Sequence, residues 1–431
     1  MSNTPPQTLK TIDIVERTLA KRHAAERRFK LYGLTAITIG ITCVILLFVS
    51  VVAKGYTAFW QTRIQLSINF SQQLIDPDAT KDPNILGNAD YQRLIRDAVF
   101  AMFPEVKARG ARRNLLQLIS SDAKFELRTI VLNNPEMIGT TQNIMVPAAS
   151  NVDMLIKGHI QRNSEDNQLI NQQTIAWIDQ LTANQRIQQR FNWAFFYNGD
   201  SRNPEAAGIG GALVGSLFTL LVTLALSFPI GVLAAIYLEE FAPVNLITDL
   251  IEVNINNLAA VPSIVFGLLG LSVFINFLEL PRSAPLVGGL VLSLMTLPTI
   301  IIASRAAIKS VPPSIREAAL GIGASKMQAI FHHVLPLALP GMLTGAIIGM
   351  ARALGETAPL LMIGMVAFIV NIPQGILDPA TVLPVQIYLW SDSPERGFAE
   401  KTSAAIIILL VFLVLMNTVA VILRRRFERR W

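Results

Sequence analysis

Six stretches of the chain run almost free of charge for about the twenty residues that a helix needs to cross the hydrocarbon core: 34–53, 208–237, 258–278, 286–308, 341–370 and 403–423. They predict an all-α polytopic membrane protein with six transmembrane helices. Between the first two lies a polar stretch, 54–207, about 150 residues long and large enough to fold by itself. There Ile64, Leu66, Ile68 and Phe70 alternate with polar residues, the period of a half-buried strand, whereas 91–103 and 167–181 carry apolar residues at helical spacing. The stretch is expected to be a small mixed α/β domain. The organisation read from the pattern is thus an N-terminal segment (1–33), a first span (34–53), the polar domain (54–207), a membrane domain (208–423) with a long loop at 305–340, and a basic tail (424–431).

Composition agrees. Of 431 residues 52% are hydrophobic and 15% charged, and the mean hydropathy of +0.46 is too high for an ordinary soluble chain of this length. The net charge of +6 does not point to nucleic acid. Its arginines and lysines cluster beside apolar segments, at Lys21, Arg22, Arg27, Arg28 and Lys30 before the first span and at Arg424, Arg425, Arg426, Arg429 and Arg430 after the last. Such clusters mark cytoplasmic ends. An even number of spans also puts both termini on one side, so both are expected in the cytoplasm and 54–207 outside it. The loop 239–252 should be cytoplasmic too, yet it holds no Lys or Arg. The first span follows more than thirty residues and exceeds the h-region of a signal peptide, which reads as a retained anchor. Cys43, the one cysteine, lies in that span and has no intrachain partner for a disulfide.

Candidate chemistry is sparse. The polar stretch has no metal-ligand cluster, no G-x-S-x-G and no H-E-x-x-H, so a docking surface or a spacer is expected there and not an enzyme. The phosphate-cradling G-x-x-x-x-G-K-[ST] occurs nowhere; GIGASK at 321–326 has the wrong spacing and follows no strand. No cofactor is implied, and an energy source would have to be a partner.

The loop 305–340 carries the most specific signal. Pro312 and Pro313 stop the preceding helix, and 314–334 reads as a helix broken near Gly321 and Gly323 that Pro336 and Pro340 close. A compact knob results, with Ala318 and Ala319 permitting close approach and Arg316 and Glu317 offering polar contacts at its edge. This loop resembles the cytoplasmic motif of the inner-membrane permeases of bacterial ABC importers: E-A-A, three residues, G, nine residues, I-x-L-P. Glu317, Ala318, Ala319, Gly323, Leu335 and Pro336 fit it without a gap, while His333 stands where the family has Ile. The resemblance implies that the loop docks into a groove on an ATP-binding subunit. His332 reads as a solvated or packing residue.

Within the fifth stretch, Gly341, Gly345, Gly349, Arg352 and Glu356 fall within about 80° of arc on a helix turning about 100° per residue. Glycine at every fourth position lets helices approach closely, so the two charges are expected to face protein or a cavity and not lipid. At a spacing of four they also pair. They either pin helices together or serve a pathway, Arg352 supplying a planar cation to an anion's oxygens and Glu356 holding or releasing it. Asn254, Asn256 and Asn257 are candidate caps or path-lining amides, Pro262, Pro298 and Pro359 candidate kinks, and Tyr388 and Trp390 candidate interface anchors.

RALGETAPLL at 352–361, NNLAAVPSIVFGLLG at 256–270, the run 210–243, the run 292–326 and LPVQIYLW at 383–390 together are similar to the PstA-type permeases of phosphate importers. The similarity runs from about Pro204 to the C-terminus. It implies inorganic phosphate as substrate, Arg352 and Glu356 in translocation, a second permease, two ATP-binding subunits and an extracytoplasmic phosphate-binding protein as partners, the bacterial inner membrane as location, and no hydrolysis by this chain. Sulfate or molybdate is the nearest alternative substrate, and an anion channel or a membrane sensor would be alternatives of another class. The stretch 54–203 is longer than the short loop of the shortest members, so its role is not implied.

Overall fold

A computed structural model describes residues 11–162 and 170–427. The start of the expected 167–181 helix, and Arg429 and Arg430, lie outside them. The chain divides into two compact units, Met1–Lys54 and Gly55–Trp431. The first is taken up by the long helix α1 (Thr11–Gly55), which contains the whole of the first apolar stretch. From Leu34 to Val49 its large apolar side chains are exposed, as a helix solvated by lipid requires.

The second unit begins with the α/β region. Strand β1 (Trp60–Asn69) is flanked by β2 (Thr141–Pro147) and β3 (Ile187–Phe191), antiparallel on both sides, in the order β2-β1-β3. Ile64, Leu66, Ile68 and Phe70 are fully buried, as their alternation required. They share one core with the apolar faces of α2 (Tyr91–Met102), α3 (Ala123–Asn133) and α4 (Gln172–Ala183). Asp90 and Asn171 start α2 and α4 by accepting the backbone N–H groups of Arg93 and Thr174.

The helices that follow are mostly apolar, α9 excepted: α5 (Gly210–Ile236), α6 (Leu246–Ala259), α7 (Ser263–Leu269), α8 (Pro285–Lys309), α9 (Pro313–Gly321), α10 (Leu335–Gly355), α11 (Leu383–Ser391) and α12 (Gly397–Phe427). Among the described residues five helical segments are long and apolar enough to cross a membrane, or six if the bent pair α6 and α7 counts as one. That pair corrects the third expected span. Pro262 lacks an N–H and disfavours helix at Val261, so the chain turns by 104° between α6 and α7 instead of running straight through 258–278. Asn254, Asn256 and Asn257 consequently lie inside α6, and the residue that caps α6 is Asn245, which accepts the N–H of Thr248.

The fifth span is shifted, running from Lys326 to Gly355 instead of 341–370. Helix α10 ends at Gly355 because Pro359 can neither donate to the carbonyl four residues back nor clear it sterically. A short helix, Ala358–Met362, follows, and 366–382 contains no helix. Asp378 orders this segment by accepting the N–H groups of Gln374 and Gly375 at 2.8 and 2.9 Å.

Trp390 is no lipid-facing anchor. It is buried, its indole N–H donates to Asp200 at 2.9 Å, and its ring lies between Phe195 and Phe398. Tyr388, its neighbour, is exposed.

Candidate functional site

Helix α10 lies along α8. A Cβ on Gly341 would come within 2.6 Å of the Ala307 methyl, and one on Gly345 would strike Ala303. Gly349 is less confined, with Thr296 Cβ at 3.6 Å from the position its own Cβ would take. Close contact along the first two glycines fixes the rotation of α10, and the rotation fixes where Arg352 points.

Arg352 leaves this contact. Its side chain is 45% exposed, and its Nε lies 3.7 Å from Glu356 Oε1, near enough for an ion pair and too far for a hydrogen bond. Among the described residues the guanidinium makes no hydrogen bond. Glu356 caps the end of α10 in extended conformation (φ −81°, ψ 118°) and is less exposed, at 22%. The two charges are therefore adjacent, as spacing of four anticipated, but the second sits where the helix stops and not on its face. A small pocket lined by Ala353, Leu354, Thr219 and Ser216 measures about 10 Å³, room for about a single water.

The loop region forms the opposite end of the same two helices. After α8 the chain turns at Val311 and Pro312 into α9, reverses at Gly323 (φ +89°), and restarts at Ser325. Ser325 and Gln328 form a reciprocal capping box. The restarted helix then passes through a wider turn, Ile330–Val334, into α10. Gly323 occupies backbone space that side chains resist, which explains why a glycine ends the knob. Leu335 and Pro336 make the first turn of α10, where the missing proline N–H costs nothing.

The knob's faces differ from the sequence expectation. Ala319 is buried in the protein's own core and so is not free to admit a partner; Glu317 and Ala318 are exposed. Arg316 is committed internally: it pairs with Glu240 at 2.8 Å and donates to the carbonyls of Val311 and Ile308 at 2.7 and 2.9 Å. What the surface presents instead is apolar: Leu320, Met327 and, at 82% exposure, Ile322. His332 and His333 are exposed as well. Sequence reading missed these apolar residues because an amphipathic pattern does not say which face its partner covers.

It also missed the use of the acidic loop. Glu239 and Glu252 hold Arg305 at 3.4 and 2.6 Å, and Glu240 holds Arg316. Three carboxylates in 239–252 thus pair with Arg305 of α8 and Arg316 of α9, where bare positive charge would otherwise collect. The absence of Lys and Arg from that loop, noted at first only as an irregularity, was the available signal.

Long apolar helices, one pair of them sharply bent, joined by a short amphipathic knob, are those of an integral membrane protein. Comparison gives the family. Residues 227–431 match the model of the binding-protein-dependent transport system inner membrane component, and residues 16–166 match a domain of unknown function, DUF3333. The probable ABC transporter permease protein YqgI of Bacillus subtilis is 31% identical over 211 residues, 46% of this chain and 71% of that protein. The phosphate transport system permease protein PstA 1 of Mycobacterium tuberculosis is 31% identical over 238 residues, 55% of this chain and 77% of that protein. PstA of Mycobacterium leprae is 33% identical over 228 residues, covering 52% and 73%. Among solved structures, the MetNI methionine ABC transporter in an inward-facing conformation overlays 52% of this chain with a TM-score of 0.38 and 18% identity. The chain belongs to the family of binding-protein-dependent transport system inner membrane components.

Proposed function

We propose that this chain is a permease subunit of an ATP-driven inorganic phosphate importer. Several relatives bear the name of phosphate permeases, and the chain spans about three quarters of their length. In this reading it is no enzyme; two ATP-binding subunits hydrolyse ATP, an extracytoplasmic protein delivers phosphate, and a second permease completes the path. Six spans, with α6 and α7 together forming the third, put both termini in the cytoplasm and the α/β region outside.

The observation that carries the reading is the Arg352 guanidinium, half exposed at the end of an apolar helix and free of hydrogen bonds within the described residues. A planar fork of donors suits the oxygens of phosphate. Glu356, beyond hydrogen-bonding distance, neutralises the cation in the empty state and yields to the anion when it passes. Coupling uses the exposed knob, Glu317, Ala318, Leu320 and Ile322, as the contact with an ATP-binding subunit. Arg316, Ala319 and Gly323 shape it from within, while Leu335 and Pro336 join it to α10. Movement of the knob is transmitted along α10, whose contact with α8 at Gly341 and Gly345 is too close to slip freely, and the helices rock between outward and inward access.

Substrate identity is tested with the complex reconstituted in vesicles. ATP-dependent uptake of labelled phosphate should persist in the presence of excess sulfate or molybdate and fall with unlabelled phosphate. Competition by sulfate equal to that by phosphate would reject phosphate as the specific substrate.

A further inference from the structure

The α/β region joins the membrane helices through a chain of aromatic rings. Phe191 stacks on Phe196 (5.9 Å between centroids) and Phe196 on Phe59 (6.0 Å). Phe59 meets Phe195 (5.9 Å), Phe195 meets Trp390 (6.3 Å), and Trp390 meets Phe398 (5.7 Å) in the first turn of α12. Beside it the first residue of α5, Gly210, donates its N–H to Asn198 O at 3.0 Å. The ladder therefore lies level with the ends of two membrane helices.

Its outer side is uncovered. Tyr56, Trp60, Phe191, Trp193 and Tyr197 are all exposed, Trp193 by 63% and Tyr197 by 68%. Four of them are linked ring to ring, Phe191 edge-on to Trp193 at 4.8 Å and to Trp60 at 6.1 Å and Trp193 stacked on Tyr197 at 6.3 Å, and Tyr56 lies four residues before Trp60 in the chain. A contiguous aromatic surface of this kind is unusual against water. Among the described residues the indole N–H groups of Trp60 and Trp193 and the hydroxyls of Tyr56 and Tyr197 make no hydrogen bond.

We propose that these five aromatic residues are a membrane-interface foot, lying in the headgroup layer of the bilayer and holding the α/β region down on the lipid surface. Lipid is the occupant that fits. Indole and phenol rings place an apolar body among acyl chains and a polar tip among carbonyls and water, and the tips here are unfilled. Tyr56 and Trp60 follow within seven residues of the end of the first apolar stretch, at Ala53. Arg190, exposed in the same strand as Phe191, offers a cation to lipid phosphate. The proposal rests on the membrane-spanning reading and is independent of the substrate.

The test uses full-length chains that keep one tryptophan, Trp193 or Trp390, with the other four changed to Phe. They are placed in vesicles of phosphatidylcholine brominated near either the glycerol or the methyl end of the acyl chain. Trp193 should lose most of its emission with the first lipid and less with the second, while buried Trp390 loses little with either. Unquenched Trp193 overturns the proposal, and so does quenching that disappears once the ATP-binding subunits, second permease and binding protein are added, since a protein then covers the patch. Should the multiply substituted chains fail to fold, Trp60→Phe/Trp193→Phe in the otherwise native chain must lower the fraction of emission quenched by shallow bromine; no decrease overturns it.

Discussion

Lys157 and Glu400, 243 positions apart in sequence, meet at 2.9 Å with side chains only 3% and 4% exposed. The same ammonium lies 2.6 Å from Asp153, which also accepts the N–H of Thr62 in β1. One lysine thus ties the sheet to the first turn of α12. Lys157→Ala would take from Asp153 and Glu400 the cation that pairs with both and leave only the neighbouring buried Lys401 to offset them, and removing one partner of such a network costs roughly 3–5 kcal/mol. Thermal unfolding in lipid should occur at lower temperature, and hydrogen exchange should rise at both 153–157 and 397–402 together. Lys157→Met, of similar length, should not rescue it while the carboxylates remain.

The α8–α10 contact makes opposite forecasts for two glycines of one pattern. Gly345→Val must displace Ala303 and should cost about 1–3 kcal/mol through overpacking, seen as a lower melting temperature. Gly349→Ala adds a methyl at ordinary contact distance, and the gain in helix propensity of about 0.5–1 kcal/mol should leave stability unchanged or raised.

These cases mark what was legible in the sequence. Apolar runs located the candidate membrane segments, five among the described residues or six if the bent pair α6 and α7 counts as one, because lipid demands length and hydrophobicity along the chain, both local properties. The alternation at Ile64, Leu66, Ile68 and Phe70 located the central strand for the same reason. The end of α10 was hidden: Pro359 acts on a carbonyl four residues earlier, and an apolar count does not register that. Lys157, Glu400, Glu240 and Arg316 were hidden more deeply, since nothing local pairs them. Arg352 and Glu356 were legible as adjacent charges, but the stop at Gly355 and the resulting 3.7 Å gap were not.

At the knob, Ile322→Asp should weaken co-purification of the ATP-binding subunits without altering the melting temperature, because this side chain touches little of its own protein. Ala319→Leu should instead destabilise the permease itself, being buried. Equal loss of stability in both variants would remove the distinction between an outer and an inner face.

Asp76 supplies a pH dependence. Its carboxylate accepts the N–H of Lys81 at 2.7 Å and of Thr80 at 3.0 Å, and the Lys81 backbone bond, above all, holds its pKa below the ordinary 3.8. A depressed acid contributes its stability above the unfolded value and loses it as pH falls through the folded one. Protection of the Thr80 and Lys81 amides, relative to the unfolded chain at the same pH, should fall once the pH drops below the ordinary 3.8, and Asp76→Asn should show weaker protection at neutral pH.

In the proposed path Arg352 meets the passing anion. A charge-assisted hydrogen bond is worth about 1.5–3 kcal/mol, or roughly ten- to a hundredfold in rate or affinity. In the reconstituted complex, Arg352→Ala should cut ATP-dependent phosphate uptake by about that factor, while subunit assembly and the melting temperature stay native. Uptake by Arg352→Ala at the native rate would contradict the account.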